Sequence, residues 1–336
     1  MSASRLDTAL TALVRTPLLL LLVGWVGFVE LQTGALLNWP NLRGVLLEAA
    51  LIGIVAAPCA LLVIAGYIDL SVGSTLALGG VVAGGVIDAG RGAPAAIAAA
   101  VLAGAVVGLV NAALTTIFGL SSFIVTLGML TAVRGAALLW SPIPTSNFGD
   151  QFAMLGIGTV LGVPVPVVIA VVVLVASAVF LNVTPAGRHL YAIGVNREAA
   201  YLSGVNVKRI PFALFMFSGC AAGLTGAIQA ARLNSAPPGQ LGTGFELVVL
   251  AAVLLGGVAL TGGEGTVFGV VIGVLFLGLL GNGLILLGVT SFWQNVASGV
   301  SLILAVAIGG LSQRFRTKLL ARRLARTMPA RVAAPA

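Results

Sequence analysis

Few side chains in this sequence can do acid–base or metal chemistry. Nine of its 336 residues are Asp or Glu, and His189 is the only histidine. No Ser/Lys, Asp/Asp or His-based constellation is visible, so neither a catalytic residue nor a metal-ligand set is expected. Cys59 and Cys220 each lie in an apolar run and read as buried free thiols. What remains is a set of isolated polar residues in apolar surroundings. Asp69 stands in GYIDLSVGSTLALGG (66–80) and Glu246 in GFELVVL, while Arg134, Asn111, Thr126, Asn282 and Asn295 each interrupt an apolar run. An acidic group at the centre of a bilayer costs about 2.5–3.5 kcal/mol, so each such residue needs a partner or a task. A carboxylate such as Asp69 or Glu246 could hold a proton or cation. A neutral amide or hydroxyl could line a path for a polar solute. Helix–helix bonding is the favoured reading for Asn111, Thr126, Asn282 and Asn295. Arg134 should pair with a carboxylate or a carbonyl, with Asp69, Glu48 and Glu246 as the acidic candidates.

The elements that must position these residues are membrane helices. The chain is 59% hydrophobic and only 8% charged, against about 25% charged for a soluble domain. A crossing needs roughly 20 apolar residues. Ten stretches qualify, near 12–31, 45–65, 71–88, 95–117, 121–140, 164–183, 210–231, 245–261, 266–287 and 291–310. The expected fold is therefore an all-α polytopic membrane protein with about ten transmembrane helices. Pro58 should kink the second or end its regular bonding. No cleavable signal peptide is evident. The 45 glycines suit close helix packing. Small-xxx-small pairs at Gly80/Gly84, Gly104/Gly108, Gly219/Gly223 and Gly269/Gly273 are read as packing sites. TGGEGTVFG (261–269) has no neighbouring Lys or Arg and reads as a tight turn, not a phosphate loop.

Basic residues set the orientation. With ten spans, all but Arg43, Arg91, Arg134 and Arg232 fall on one side, so both termini are expected in the cytoplasm. The domain layout is then a transmembrane unit over 1–310 and a basic cytoplasmic tail over 311–336 that faces lipid headgroups. The basic residues flank apolar segments, which argues for lipid and against nucleic acid as the partner of the +8 net charge. Residues 141–163 form an outer loop. Residues 184–209 form the largest polar segment before the tail, on the inner side. Within it Asn196 can cap a short helix that starts Arg197-Glu198-Ala199-Ala200 and ends at Gly204. Such a helix is a connecting loop or a lever for a partner. Asp69 falls near the inner junction of the second and third spans. There it, or Ser71, can cap the third helix, where a negative side chain meets the helix dipole.

Five blocks, in this order, carry a family resemblance: GYIDLSVGSTLALGG, FIVTLGMLTAVRGAALL (123–139), AIGVNREAAYLSGVNVKRI (192–210), GTGFELVVLAAVLLGGVALTGGEGTVFG (242–269) and GNGLILLGVTSFWQNVASGV (281–300). The chain resembles the permease subunits of bacterial ABC monosaccharide importers, of the ribose/xylose/galactose type within the branched-chain amino acid/ribose permease superfamily. The resemblance runs from about residue 40 to 310. It implies the type II importer permease fold, a bacterial inner-membrane location, and a second permease copy or paralogue as partner. It also implies a separate ABC ATPase subunit that holds ATP and magnesium, with no cofactor on this chain, and a periplasmic sugar-binding protein. By the same resemblance Asn196, Arg197, Glu198, Ala199, Ala200, Ser203 and Gly204 form the ATPase-coupling helix, and Ala200→Glu is expected to abolish docking. Asp69, Ser71, Asn111, Phe123, Thr126, Glu246 and Asn282 are the candidate pathway or gate residues. Tyr67, Pro58, Cys59, Val195 and residues 141–147 depart from the family pattern, which weakens transfer of any one sugar. Alternatives are another small polar solute (a furanosyl signalling molecule, a polyol or a nucleoside) and an ion-coupled secondary transporter.

Overall fold

The computed structural model describes residues 3–290 with 293, 296, 297, 299–304 and 307, and side chains from residue 18 onward. Twelve α-helices follow one another in this region. They are α1 (Ala3–Thr33), α2 (Trp39–Ile64), α3 (Val72–Asp88), α4 (Ala93–Ala112), α5 (Ser122–Trp140), α6 (Asp150–Ile157), α7 (Val165–Val183), α8 (Pro185–Val195), α9 (Arg197–Leu202), α10 (Arg209–Leu233), α11 (Phe245–Leu255) and α12 (Val267–Leu286). A π-helical turn, Ala113–Ile117, extends α4. Two short antiparallel ladders complete the described residues. β1 (Thr145–Ser146) pairs with β4 (Ser235–Ala236), and β2 (Thr159–Val160) pairs with β3 (Val163–Pro164).

Six of these helices are long and apolar enough to cross a bilayer: α2, α4 with its π-turn, α5, α7, α10 and α12. Leu18–Thr33, α3 and α11 are apolar but shorter. Each expected stretch from 12–31 to 266–287 thus falls on a helix. Half of the stretch at 291–310 lies outside the described residues, as do Asn295 and the whole 311–336 tail. Three local expectations change. Of the two outcomes expected at Pro58, a kink or an end, the end does not occur, since α2 runs on to Ile64 as one helix. The run at 245–261 is helical only to Leu255, because Gly257, Gly262, Gly263 and Gly265 all take positive φ and build an irregular loop. Residues 141–163, expected as a loop, contain α6, β1, β2 and the first residue of β3.

α2 is the axis of the bundle. It is apolar on every side and buried almost without interruption from Ala49 to Ile64, as a fully enclosed helix must be. α7, α10, α11 and α12 pack against it, and α10 in turn meets α3 and α4 through glycine. A side-chain carbon on Gly108 would lie 2.5 Å from the Phe215 carbonyl, and one on Gly79 would lie 2.5 Å from that of Gly223. Gly104 and Gly219 leave no room for a Cβ on either helix, and Gly269 and Gly273 of α12 press on the backbone of α11 at Gly256 and Ala252. Three of the four small-xxx-small pairs therefore join helices along their length, as expected. The fourth is split. Gly80 packs on Leu241 and Gly226, whereas Gly84 faces Thr145 and Phe148 of the loop.

Candidate functional site

The polar segment 184–209 folds as two helices, α8 and α9, joined into a hairpin through the extended residue Asn196. The Thr184 hydroxyl accepts a hydrogen bond from the Gly187 N–H, and Pro185 opens α8. Asn196 then caps α9, with its Oδ1 2.9 Å from the Ala199 N–H. Gly204, at φ +82°, ends the hairpin. The cap at Asn196 was legible in the sequence. α8 was not recognised, although Thr184-Pro185 is a helix-start signal.

One face of this hairpin is packed and the other is bare. Ala200 is 5% exposed and sits in a small cluster with Ile193 and Val207. The outward residues are Glu198, Ala199, Tyr201, Leu202 and Ser203 with Gly204, while Arg197 is exposed at the edge between the two faces. Tyr201 is 66% and Leu202 79% exposed. Ala200 thus belongs to the hairpin's underside, so Ala200→Glu would disturb the hairpin itself before it reported on docking.

The packed face grips two loops of the bundle at once. Tyr191 donates its hydroxyl to the Gly265 carbonyl at 2.7 Å. Gly194 lies against the Ile64 carbonyl and Gly263 so closely that no side chain fits. Gly263 N–H in turn donates to the Ile64 carbonyl at 2.8 Å. The Arg197 guanidinium lies over the Tyr67 ring, 5.7 Å from its centre. The TGGEG turn is therefore a joint. It connects the hairpin to the α11–α12 loop and, through Ile64 and Tyr67, to the α2–α3 loop.

The α2–α3 loop carries Asp69. The carboxylate is 8% exposed and is held by hydroxyls. Its Oδ1 accepts from the Ser71 N–H at 3.0 Å and the Ser71 hydroxyl at 2.6 Å, and its Oδ2 accepts from Ser218 at 2.8 Å. Asn111 donates to the Ser71 hydroxyl at 2.8 Å. The Cys59 sulfur lies 3.7 Å from the Ser218 hydroxyl. Ile68, next in the chain, donates its N–H to Ser122, and Thr126 donates to the Ile68 and Ser122 carbonyls. One loop is so joined to α2, α4, α5 and α10. Ser218 lies nine residues beyond Arg209, so the Asp69 carboxylate meets α10 about 13 Å along from its first residue. The capping expectation is not met, because neither side chain reaches the free N–H groups of the first turn of α3. Asp69 binds the N–H of Ser71, but the Ser71 hydroxyl turns to Asp69 and leaves the first turn of α3 without a side-chain cap.

The other candidate residues separate. Arg134 donates to the carbonyls of Pro238, Leu241 and Gly242, so its partners are carbonyls. Glu48 pairs elsewhere, with Arg232 at 2.7 Å. Glu246 faces Gly73 in the first turn of α3, and its Oε2 is buried with no hydrogen-bond partner among the described residues. Asn282 and Asn41 exchange amide hydrogen bonds at 2.9 Å, joining α12 to α2 near the end remote from Asp69. Phe123 is exposed near the start of α5. Asp69, Ser71, Asn111 and Thr126 are thus brought together, Glu246 lies beyond the start of α3, and Phe123 and Asn282 stand apart. Ser218, Tyr191, Gly194 and Gly263 were missed. Ser218 carried the same signal as Asn111, a polar residue in an apolar run, and the glycines carried none beyond their type.

The model for the branched-chain amino acid transport system / permease component family matches residues 41–307. The chain is 41% identical over 278 residues to the ribose import permease protein RbsC of Escherichia coli (strain K12), covering 81% of this chain and 86% of that protein. It is 39% identical over 267 residues to the L-arabinose ABC transporter permease protein AraH of Azospirillum brasilense, covering 79% and 78% respectively. It is 38% identical over 246 residues to the D-allose transport system permease protein AlsC of Escherichia coli (strain K12), covering 73% and 75%. No solved structure matches the chain. A bundle of apolar helices, a capped polar hairpin keyed into two of its loops, and a family match across most of the length agree with one another: the chain belongs to the branched-chain amino acid transport system / permease component family.

Proposed function

We propose that this chain is the membrane-spanning permease subunit of an ATP-driven ABC importer, and that it moves a monosaccharide handed over by a periplasmic binding protein. Similarity to permeases named for ribose, L-arabinose and D-allose supports a pentose or hexose as the solute class. The observation that carries the mechanism is the hairpin α8–α9, bare and apolar outward at Tyr201 and Leu202 and locked inward onto two loops. An ATPase subunit, which holds the ATP and magnesium, docks on the bare face. Closure of the ATPase pair displaces the hairpin. The joint at Gly194, Ile64 and Gly263 passes that displacement to the α2–α3 and α11–α12 loops, and the Asp69 network receives it. A rigid, glycine-tight contact suits this task because it has few intermediate arrangements.

The same reading puts the hairpin and both termini in the cytoplasm, following the distribution of Lys and Arg. It takes the nine membrane-embedded stretches of the described residues together with 291–310 as ten spans. Two such chains, identical or paralogous, enclose the route in the inner membrane. Solute specificity resides chiefly in the binding protein, since a route needs only transient polar contacts. The test is co-purification of this chain with its cognate ATPase, followed by ATP hydrolysis with and without sugar-loaded binding protein. The loaded protein is expected to stimulate hydrolysis. A complex that forms but does not respond to any loaded binding protein would contradict the assignment.

A further inference from the structure

The segment between α10 and α11 is the unusual part of the bundle. Asn234, at φ +50°, ends α10, the backbone pairs briefly as β4, and residues 237–244 then turn irregularly until α11 begins. This backbone lies at membrane depth. Arg134, which donates to the carbonyls of Pro238, Leu241 and Gly242, stands six residues before Trp140, about 9 Å inside the nearer end of α5. Gly242 packs on Gly73 and Leu241 on Gly80, beside the body of α3. α11 has only 11 residues, about 16 Å, against a hydrocarbon core of about 30 Å.

Hydrocarbon does not tolerate non-helical backbone unless protein buries it or it borders water. One side of this segment is buried: Pro238, Leu241 and Gly242 face inward, where the guanidinium satisfies their carbonyls. The other side is not. Gly239, Gln240, Thr243 and Leu247 are exposed. Of these, Gln240 offers two donors and an acceptor from its amide, and the Thr243 hydroxyl donates to the Gly239 carbonyl at 3.2 Å with its lone pairs still able to accept. Leu247 adds an apolar patch one turn on. A neutral donor–acceptor pair beside an apolar surface suits a neutral polyhydroxylated solute.

We propose that Gln240 and Thr243 line the water-filled route through the membrane and hydrogen-bond the hydroxyl groups of the passing sugar. The proposal rests on the permease reading above, and its test separates from it. In a chain with Cys59 and Cys220 replaced by serine, Gln240→Cys, Thr243→Cys and Leu102→Cys would each be exposed to a membrane-impermeant methanethiosulfonate reagent in the assembled transporter. Leu102 is 64% exposed on α4 and serves as the lipid-facing reference. Gln240→Cys and Thr243→Cys are expected to react at least tenfold faster than Leu102→Cys, with excess monosaccharide slowing both. Reaction of both at the Leu102→Cys rate would overturn the proposal, while ATP- and binding-protein-dependent uptake by the unsubstituted transporter would leave the permease reading standing. Thr243→Cys is nearly isosteric and keeps the test decisive where Gln240→Cys assembles poorly. In the same transporter, Gln240→Leu with Thr243→Val is expected to lower uptake at sub-saturating sugar about tenfold. Unchanged uptake would count against hydroxyl binding.

Discussion

Leu202→Asp tests the docking face most sharply. Leu202 is 79% exposed and caps nothing in this chain. Burying a whole leucine side chain is worth about 1.5–3 kcal/mol. If the ATPase covers the exposed four-fifths, the contact contributes about 1.2–2.4 kcal/mol, or about seven- to sixtyfold in affinity. A carboxylate there adds a desolvation cost, so the upper end of the range is expected. Folding should be spared, since the side chain contacts solvent and the Asn196 cap and the Ile193–Ala200–Val207 cluster stay intact. The assay is titration of the detergent-purified permease with its ATPase, read by a fluorescent label on the ATPase. Thermal unfolding of the free permease serves as the control. Affinity weakened by tenfold or more with unchanged unfolding supports docking through this face. Unchanged affinity would refute it, and a lowered unfolding temperature would show that the hairpin's outer face is structural.

Gly263→Val should uncouple the two loops from the hairpin. Gly263 holds φ +76° and leaves no space beside Val195, so a β-branched residue must break the joint; ATP hydrolysis is expected to continue with uptake reduced more than tenfold, measured side by side. Asp69→Asn keeps the acceptor for both Ser71 bonds and is expected to retain uptake within about threefold. Asp69→Ala strands the Ser218 and Ser71 hydroxyls at a cost of about 1–3 kcal/mol each, so it should lower the yield of folded permease, read by size-exclusion chromatography; full transport by Asp69→Ala would remove the network from the account. Gly104→Val places two methyl groups into the Gly219 backbone. It is expected to abolish recovery of folded permease, and normal recovery would contradict the α4–α10 packing.

Much of this architecture was readable because bilayer chemistry is demanding. Apolar runs of the right length marked the helices, and Asn196 with Gly204 marked both ends of α9. The failures share a cause. Val258, Ala259 and Leu260 are as apolar as the α11 residues before them, so composition extended the helix; the positive φ of Gly257, which stops it, has no hydropathy. Asp69 was conspicuous by type, but its role depends on Ser218, 149 residues away, a pairing that only the close approach of glycine-lined helices creates. Arg134 advertised a need for partners without naming them, because backbone carbonyls carry no sequence signal. The exposed side of 237–244 was invisible for the same reason, since it is the depth of the backbone that gives Gln240 and Thr243 their meaning.

In the proposed mechanism this chain passes solute only when an ATPase drives it through the α8–α9 hairpin. Uptake of labelled monosaccharide into proteoliposomes measures this directly. Uptake is expected only when the ATPase, ATP and sugar-loaded binding protein are all present, and it should be lost when Leu202→Asp prevents docking. Uptake by the chain alone under a proton or sodium gradient would contradict the mechanism.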